Sequence, residues 1–542
     1  MRMWQRLTAL AVGAALLTVT ACGGGSDDDG DTSAGSGDGA GAGESTGGTF
    51  SVGIDEPDFL IPGRAQGAFD EMHALFSGLV KFGDQSEPQL LHAESIESDD
   101  NVVWTIAVKP DWTFHDGTPV TAQSYADAWN ATAYGPNAWA NNAQLSNVVG
   151  WDELNPAEGT PATDALSGVE VVDENTLRVT LKAADSQFPY KLGQPGWYPL
   201  PEVAFEDFDA FNEAPVGNGP FQIDGSWEHD VALSVTRYED YQGPRPNADG
   251  ITFRIYSDTT TAYTDAIGGA VDIVSVPQEK YKQVTTDFPD SYVAFNAIRL
   301  DWLGFPLWDP RFQDPRVRQA VSMSIDRDAV NEAIFGGLYT PATSYHGPSA
   351  PGGGTEGMCG EFCEFDPDRA KELLAEAGGW EGPMEIWFPG GVGYDQTFEA
   401  LANQIRQNLG IEEVTTKSQP GFVQFLDALR NQQATGPFRG GWGSLYPSMQ
   451  SLLTSVFSTN GDGREGGGSY ANPEVDALIT QADAAPSLEE ATDLYKAAEQ
   501  RIIEDFPIVP LFYAKYVYAH SSNVSNVIIG FDQVELNEVV VN

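Results

Sequence analysis

The chain has 542 residues, 79 acidic against 28 basic, and a formal net charge of −51. Such a field repels nucleic acid and anionic lipid headgroups, so neither is an expected partner. Apolar residues make up 41% of the chain, enough for a sizeable core, and the length predicts two or three domains or one large two-lobed unit.

Arg2 and Arg6 precede an apolar run from Leu7 to Val19, which meets Thr20-Ala21-Cys22. A charged start, a short apolar stretch and small residues before the cut predict a secretory signal over residues 1–21. The run is shorter than the ~20 apolar residues that a membrane-spanning helix needs. Val19-Thr20-Ala21-Cys22 also resembles the lipobox of bacterial lipoproteins, which implies acylation of Cys22. The alternative is ordinary cleavage beside an incidental cysteine. Residues 22–48 are dominated by Gly, Ser, Asp, Ala and Thr. They bury too little apolar surface to offset the entropy of ordering, so a flexible tether is expected.

The folded part opens at Thr49–Ile54, whose alternation predicts a strand. Val102–Val108, Leu177–Leu181, Val231–Thr236 and Ile251–Tyr256 read the same way. Asp314-Pro315 starts a helix, Asp326 restarts it, and Gly336-Gly337 stops it. Asp366-Pro367 and Asn472-Pro473 are caps followed by proline at the first helical position, and Ser487–Glu490 is a capping box. Strands and helices mixed along the whole length predict an α/β class.

Candidate chemistry is sparse. Gly43–Gly47 matches G-x-S-x-G, but it lies in the tether, without the strand and helix of a nucleophile elbow. Gly352–Gly357 and Gly461–Gly466 match G-x-G-x-x-G without the strand-turn-helix frame that phosphate binding needs. No catalytic residues and no cofactor are assigned. Cys359 and Cys363 are expected to form a disulfide after export. A metal would need further Cys or His near them, and only His346 is close in sequence, so no metal site is assigned.

Trp112–Ala122, reading WTFHDGTPVTA, resembles the signature of family 5 solute-binding proteins of ABC importers, which include oligopeptide- and dipeptide-binding proteins. Phe76–Val80, Pro215–Phe221, Gly269–Ile273, Asp314–Ala320, Ile325–Arg327, Phe365–Leu374 and Ile508–Leu511 follow that family's motif order. The resemblance runs from about Thr49 onward. It implies a two-lobed type II periplasmic-binding-protein-like α/β fold with an extra inserted domain. Lobe I would take residues 49–82, 213–299 and 519–542, domain II residues 83–212, and lobe III residues 300–518.

The resemblance also implies a function: capture of oligopeptides between closing lobes, without catalysis, and delivery to ABC permease subunits. The protein would be a monomer, held on the outer face of the cytoplasmic membrane by its lipid. Carried over residue by residue, Trp442 would pack on ligand, Gly441 would admit ligand backbone, and Arg439 would sit near the ligand carboxylate or in a structural ion pair. Phe422, Trp139, Asn142 and the Gln66-Gly67-Ala68 segment are further candidate ligand contacts. Peptide binders of the family usually carry an aspartate for the ligand ammonium where this chain has Leu445. A non-peptide ligand (metal chelate, opine or sugar conjugate), a peptide-sensing lipoprotein and an exported hydrolase are the competing readings.

Overall fold

The computed structural model describes residues 47–542 except 68, 84, 85, 355, 356, 392, 462 and 532. The signal, nearly all of the tether, Cys22 and Ala68 lie outside the described residues. The described residues belong to one compact unit.

An eleven-stranded mixed sheet is the backbone of that unit. Ten of its strands, in chain order, are β1 Thr49–Ile54, β2 Phe221–Ile223, β3 Ala232–Arg237, β4 Gly250–Ile255, β5 Ile273–Ser275, β6 Tyr292–Gly304, β7 Met384–Pro389, β8 Val414–Gln419, β9 Phe438–Gly443 and β10 Ile508–His520. Their spatial order is β8-β7-β9-β6-β10-β5-β1-β4-β3-β2, and Thr340–Pro341 adds an edge pair to β10. β1 lies between two parallel partners, with Thr49 opposite Gly250 and Val52 opposite Ile273. A strand paired on both sides reads as apolar, and Phe50 and Val52 are buried. A separate four-stranded antiparallel sheet holds Ala93–Glu97, Val103–Val108, Thr176–Thr180 and Val169–Asp173.

Two large apolar cores result. The first gathers Phe50, Leu75, Trp129, Trp197, Phe221 and their neighbours, with Val524–Val539 added late in the chain. The second gathers Trp302, Val321, Leu401, Phe457, Ile502 and their neighbours. The antiparallel pair β6–β10 runs between them. Val293, Phe295, Tyr516 and Tyr518 pack against the first core, whereas Leu300, Trp302, Val509 and Phe512 belong to the second. The ladder register shifts between the Asn296–Lys515 and Leu300–Tyr513 pairs. A bulge of this kind bends and twists a strand pair, and here it falls where the chain passes from one core to the other.

The local start signals act as their chemistry requires. The carboxylates of Asp314, Asp326 and Asp366 accept from the backbone N–H of Arg316, Ala329 and Arg369. Asn472 and Ser487 do the same for Glu474 and Glu490. Each satisfies one of the orphan donors at a helix start. Gly336, at φ +62°, closes the turn after Asp326 in a conformation that side chains with a Cβ rarely adopt. Cys359 and Cys363 are joined by a disulfide, with Cα atoms 5.8 Å apart. Among the described residues, no helix is long and apolar enough to cross a membrane.

Candidate ligand-binding site

A cavity of about 1260 Å³ lies between the two cores. Phe69 and His73 face it from helix Phe69–Leu75, Tyr198 from the first core, Leu445 and Tyr446 from the loop after β9, and Tyr516 and Tyr518 from the crossing strand β10. Residues from Phe531 to Glu538 form a further wall. Phe531 stacks edge-on against Phe82 at 5.2 Å and packs with Ile298 and Ala350, closing one end.

Two titratable groups in the wall, His73 and Lys191, are shifted from their ordinary values. Burial pushes His73 down to about 4, so it faces the cavity as a neutral imidazole with Nδ1 3.2 Å from the Tyr198 hydroxyl. Lys191 Nζ is 2.5 Å from Asp185 Oδ2, and Asp185 is 3% exposed. Burial alone would lower the Lys191 ammonium, but Asp185, helped by Tyr446 and Asp483, outweighs it and holds the group above its ordinary value.

A smaller cavity of about 220 Å³ opens beside the first, and Tyr516 lines both. Its walls carry three cations, Arg299, Arg439 and Lys515, and one acid, Asp301. Arg299 donates to Asp301 Oδ1 at 3.0 Å, and Arg439 Nη2 reaches the same oxygen at 3.6 Å. Asp301 first of all, against the cost of burial, holds Arg299 above its usual value. One carboxylate shared by two guanidinium groups leaves the chamber cationic, in a chain whose net charge is strongly negative.

The sequence candidates fall into three groups. Gln66 and Leu445 line the main cavity and Arg439 lines the smaller one. Trp442 stands one residue before the cavity-lining Gly443, and its indole N–H donates to Ser451 Oγ at 3.2 Å. The same hydroxyl accepts Leu445 N at 3.0 Å, so Ser451 fixes both ends of this wall. A Cβ on Gly441 would come within 2.6 Å of Asp301 Oδ1, so the close approach there is made by the protein's own ion pair. Gly67 donates its N–H toward Asp58 and has open space where a side chain would stand.

The third group is structural. Trp139 is 6% exposed and packs edge-on to Phe208. Asn142 caps a helix end by donating to the carbonyls of Thr132 and Ala133. Phe422 is 48% exposed at the start of helix Phe422–Arg430, away from both cavities. His346, the only histidine near the disulfide in sequence, has both ring nitrogens engaged, by Glu499 Oε2 at 3.0 Å and the Met449 carbonyl at 3.2 Å. Among the described residues no group of three or more His, Cys, Asp or Glu side chains is placed to hold a metal ion.

Residues 87–464 match the model of the bacterial extracellular solute-binding proteins, family 5 (middle region). The chain belongs to this family. A family 5 protein binds solute outside the cytoplasm and is not an enzyme. Similar chains include the periplasmic oligopeptide-binding protein OppA of Escherichia coli, 27% identical over 454 residues that cover 81% of each chain. The glutathione-binding protein GsiB of Escherichia coli is 26% identical, covering 83% of this chain and 86% of its own. Among solved structures, the unliganded open form of the murein tripeptide binding protein MppA superposes with a TM-score of 0.79 at 23% identity, covering 92% of this chain and 98% of that one. Haemophilus influenzae OppA in complex with RPPGFSPFR gives 0.71 at 21% identity, covering 92% and 99%. These likenesses establish the two-lobed α/β binding-protein fold with its extra domain.

Sequence reasoning assigned no site role to Asp185, Lys191, Tyr446, Tyr516 or the Phe531–Glu538 wall; for Tyr446 the available signal was its place directly after Leu445.

Proposed function

We propose that the chain captures oligopeptides for an ABC importer, holding them in the cavity between the two cores and passing them to permease subunits when the lobes part. The observation that carries this reading is the cavity itself. Its volume, about 1260 Å³, exceeds what a single amino acid needs, and its walls come from both cores and from the strands that connect them. Names of the relatives support it, since OppA is an oligopeptide-binding protein and GsiB a glutathione-binding protein. The cationic side chamber suits a carboxylate, with Arg439 and Arg299 as its donors. Trp442, Gly441, Leu445, Gln66 and Gly67 are proposed for the ligand wall. Phe422, Trp139 and Asn142 act in this reading only through packing.

Lobe I is proposed to take 49–82, 213–299 and 519–542, domain II 83–212, and lobe III 300–518. Cys22 is proposed as the lipid attachment site, and the mature protein as a monomer on the outer face of the membrane.

A second reading is favoured by Leu445. It is 55% exposed in the cavity wall, and the nearby acid, Asp185, is already paired with Lys191. Leu445 offers a ligand ammonium no carboxylate at that position, which suits a non-peptide solute such as a metal chelate, opine or sugar conjugate. Native mass spectrometry of the chain purified from a peptide-rich lysate, with sequencing of whatever is released, separates the two. A ladder of co-purified peptides supports peptide capture, and a single non-peptide mass moves the assignment to the second reading.

A further inference from the structure

The two cores touch through a polar seam as well as through the crossing strands. On the first side stand Asp185, Ser186 and Gln187, next to Phe188 of the first core. On the second stand Ser448, Gln450 and Asp483, next to Met449 and Ala482 of the second core. Ser186 N donates to the Asp483 carbonyl at 2.7 Å, and Ser186 Oγ to the Ala482 carbonyl at 3.1 Å. Ser448 Oγ donates to Gln187 Oε1 at 2.8 Å, and Gln194 Nε2 to the Leu445 carbonyl at 2.9 Å. Asn101 Nδ2 adds a bond to the Ala485 carbonyl at 2.7 Å. Asp185, Gln187, Ser448 and Gln450 are each 5% exposed or less.

One amide nitrogen bridges two acids inside this seam. Gln450 Nε2 donates to Asp185 Oδ1 at 3.1 Å and to Asp483 Oδ1 at 2.7 Å. The two carboxylate oxygens therefore lie within about 6 Å of each other. Like charges so close, with Asp185 buried and Asp483 half-buried, oppose one another. Among the described residues, the cation that faces them is Lys191, already bonded to Asp185. The remaining titratable neighbours, Tyr446 and Tyr495, are held neutral. Tyr495 donates to Asp483 Oδ1 at 2.6 Å, and Tyr446 to Gln450 Oε1 at 2.6 Å. Asp483 is also the last residue of helix Pro473–Asp483, at the end where the helix dipole disfavours a negative charge.

We propose that bringing the two cores together takes up one proton at the Asp185–Asp483 pair, so that mild acid favours the closed protein. The inference rests on the closing-lobe reading above. When the seam parts, Asp185 and its neighbours leave and Asp483 meets water, where an aspartate ionises near its ordinary value. When the seam forms, two carboxylates share one ammonium, and the added proton converts one carboxylate to a neutral acid. With the seam formed, burial first, and then the Asp185 charge, pushes Asp483 up to about 6, against the pull of Tyr495 and Gln450. Because the closed-state value is the higher one, closure is favoured as pH falls through 6, and the gain is complete below the open-state value. The closing equilibrium should rise about tenfold between pH 7.5 and pH 5.

The test measures closure without a ligand. Spin labels at Val172→Cys and Val423→Cys, exposed positions on the two sides of the cleft, are introduced into the full chain carrying Cys22→Ser. Their separation is followed by pulsed electron resonance from pH 8 to pH 5. The expected result is a short-distance population that begins to grow near pH 6 and is still growing at pH 5, is flat in Asp483→Asn, and begins its rise at higher pH in Tyr495→Phe. A pH-flat distribution in the parent, or an unchanged pH dependence in Asp483→Asn, overturns the proposal. If Asp483→Asn does not fold, an unmoved onset in Tyr495→Phe overturns it alone. A casein-peptide digest added at pH 7.5 isolates the underlying reading. Distances that respond to peptides but not to pH sink only the proton coupling, and distances that respond to neither sink closure itself.

Discussion

Arg439 Nη2 and Asp301 Oδ1 lie 3.6 Å apart across neighbouring strands, and Arg299 holds the same oxygen from the other side. Arg439 is therefore restrained but not saturated, a guanidinium whose remaining donors face a small cationic chamber. Arg439→Ala should weaken binding of free-acid peptides roughly ten- to hundredfold, the worth of a charge-assisted hydrogen bond. Amidated peptides of the same sequence should lose much less in parallel calorimetric titrations. Equal losses for both would assign Arg439 to the ion pair alone.

Glu499 anchors the loop at His346 through both oxygens. Its Oε1 accepts Tyr345 N at 2.7 Å and His346 N at 2.9 Å, and its Oε2 meets His346 Nδ1 at 3.0 Å. All of this is sealed from water, with both side chains 2% exposed. Removing one partner strands the others, so Glu499→Ala should cost about 3–5 kcal/mol in urea unfolding. A loss below about 0.5 kcal/mol, the ordinary surface value, would contradict this account.

Glu71 is 3% exposed in helix Phe69–Leu75, and burial, followed by Asp70, pushes its carboxyl up to about 8. The folded chain thus keeps a proton that the unfolded chain releases above its ordinary value of 4.5. Stability from this group is intact at low pH and declines by about 1.4 kcal/mol per pH unit as pH rises between those values. Glu71→Gln removes the penalty. Its melting temperature should exceed the parent's at pH 7.5, with the gap narrowing toward pH 5, and a constant gap would rule out titration as the cause.

Anchoring through Cys22 predicts a change of fraction rather than of fold. Cys22→Ala should appear in the culture medium or periplasm, detected by immunoblot of separated fractions, while the parent stays with the membrane. Retention of the variant would refute lipid attachment at this residue.

What could be read from the chain alone follows the range of each interaction. Asp314, Asp366 and Ser487 announce helix starts because their partners lie two or three residues away. Phe50 and Val52 announce a strand because alternation is local. The seam was illegible for the opposite reason, since Asp185 and Gln450 meet across 265 positions. Trp139 and Asn142 show that a role carried over by position says nothing of the local partners a side chain finds. An aromatic ring and an amide of suitable type stood near a ligand contact, yet one packs on Phe208 and the other closes a helix end. Leu445 worked differently, because a departure from pattern directed attention to the wall where Lys191 and Asp185 meet.

The crossing of β1 between β4 and β5 also has a kinetic side. Gly48, at its threshold, bonds to Asp249, 201 residues further on, and Asp70 accepts from Val534 at a separation of 464. Contacts this distant form slowly, because a long loop must close before any of them is gained. A chain emerging from the ribosome cannot complete its first core, or the cavity wall at Phe531–Glu538, until nearly all of it has been made. If residues 1–21 direct secretion, as the sequence predicts, that delay keeps the polypeptide threadable and empty during translocation. Binding competence would then arise only on the far side of the membrane, where the solute is.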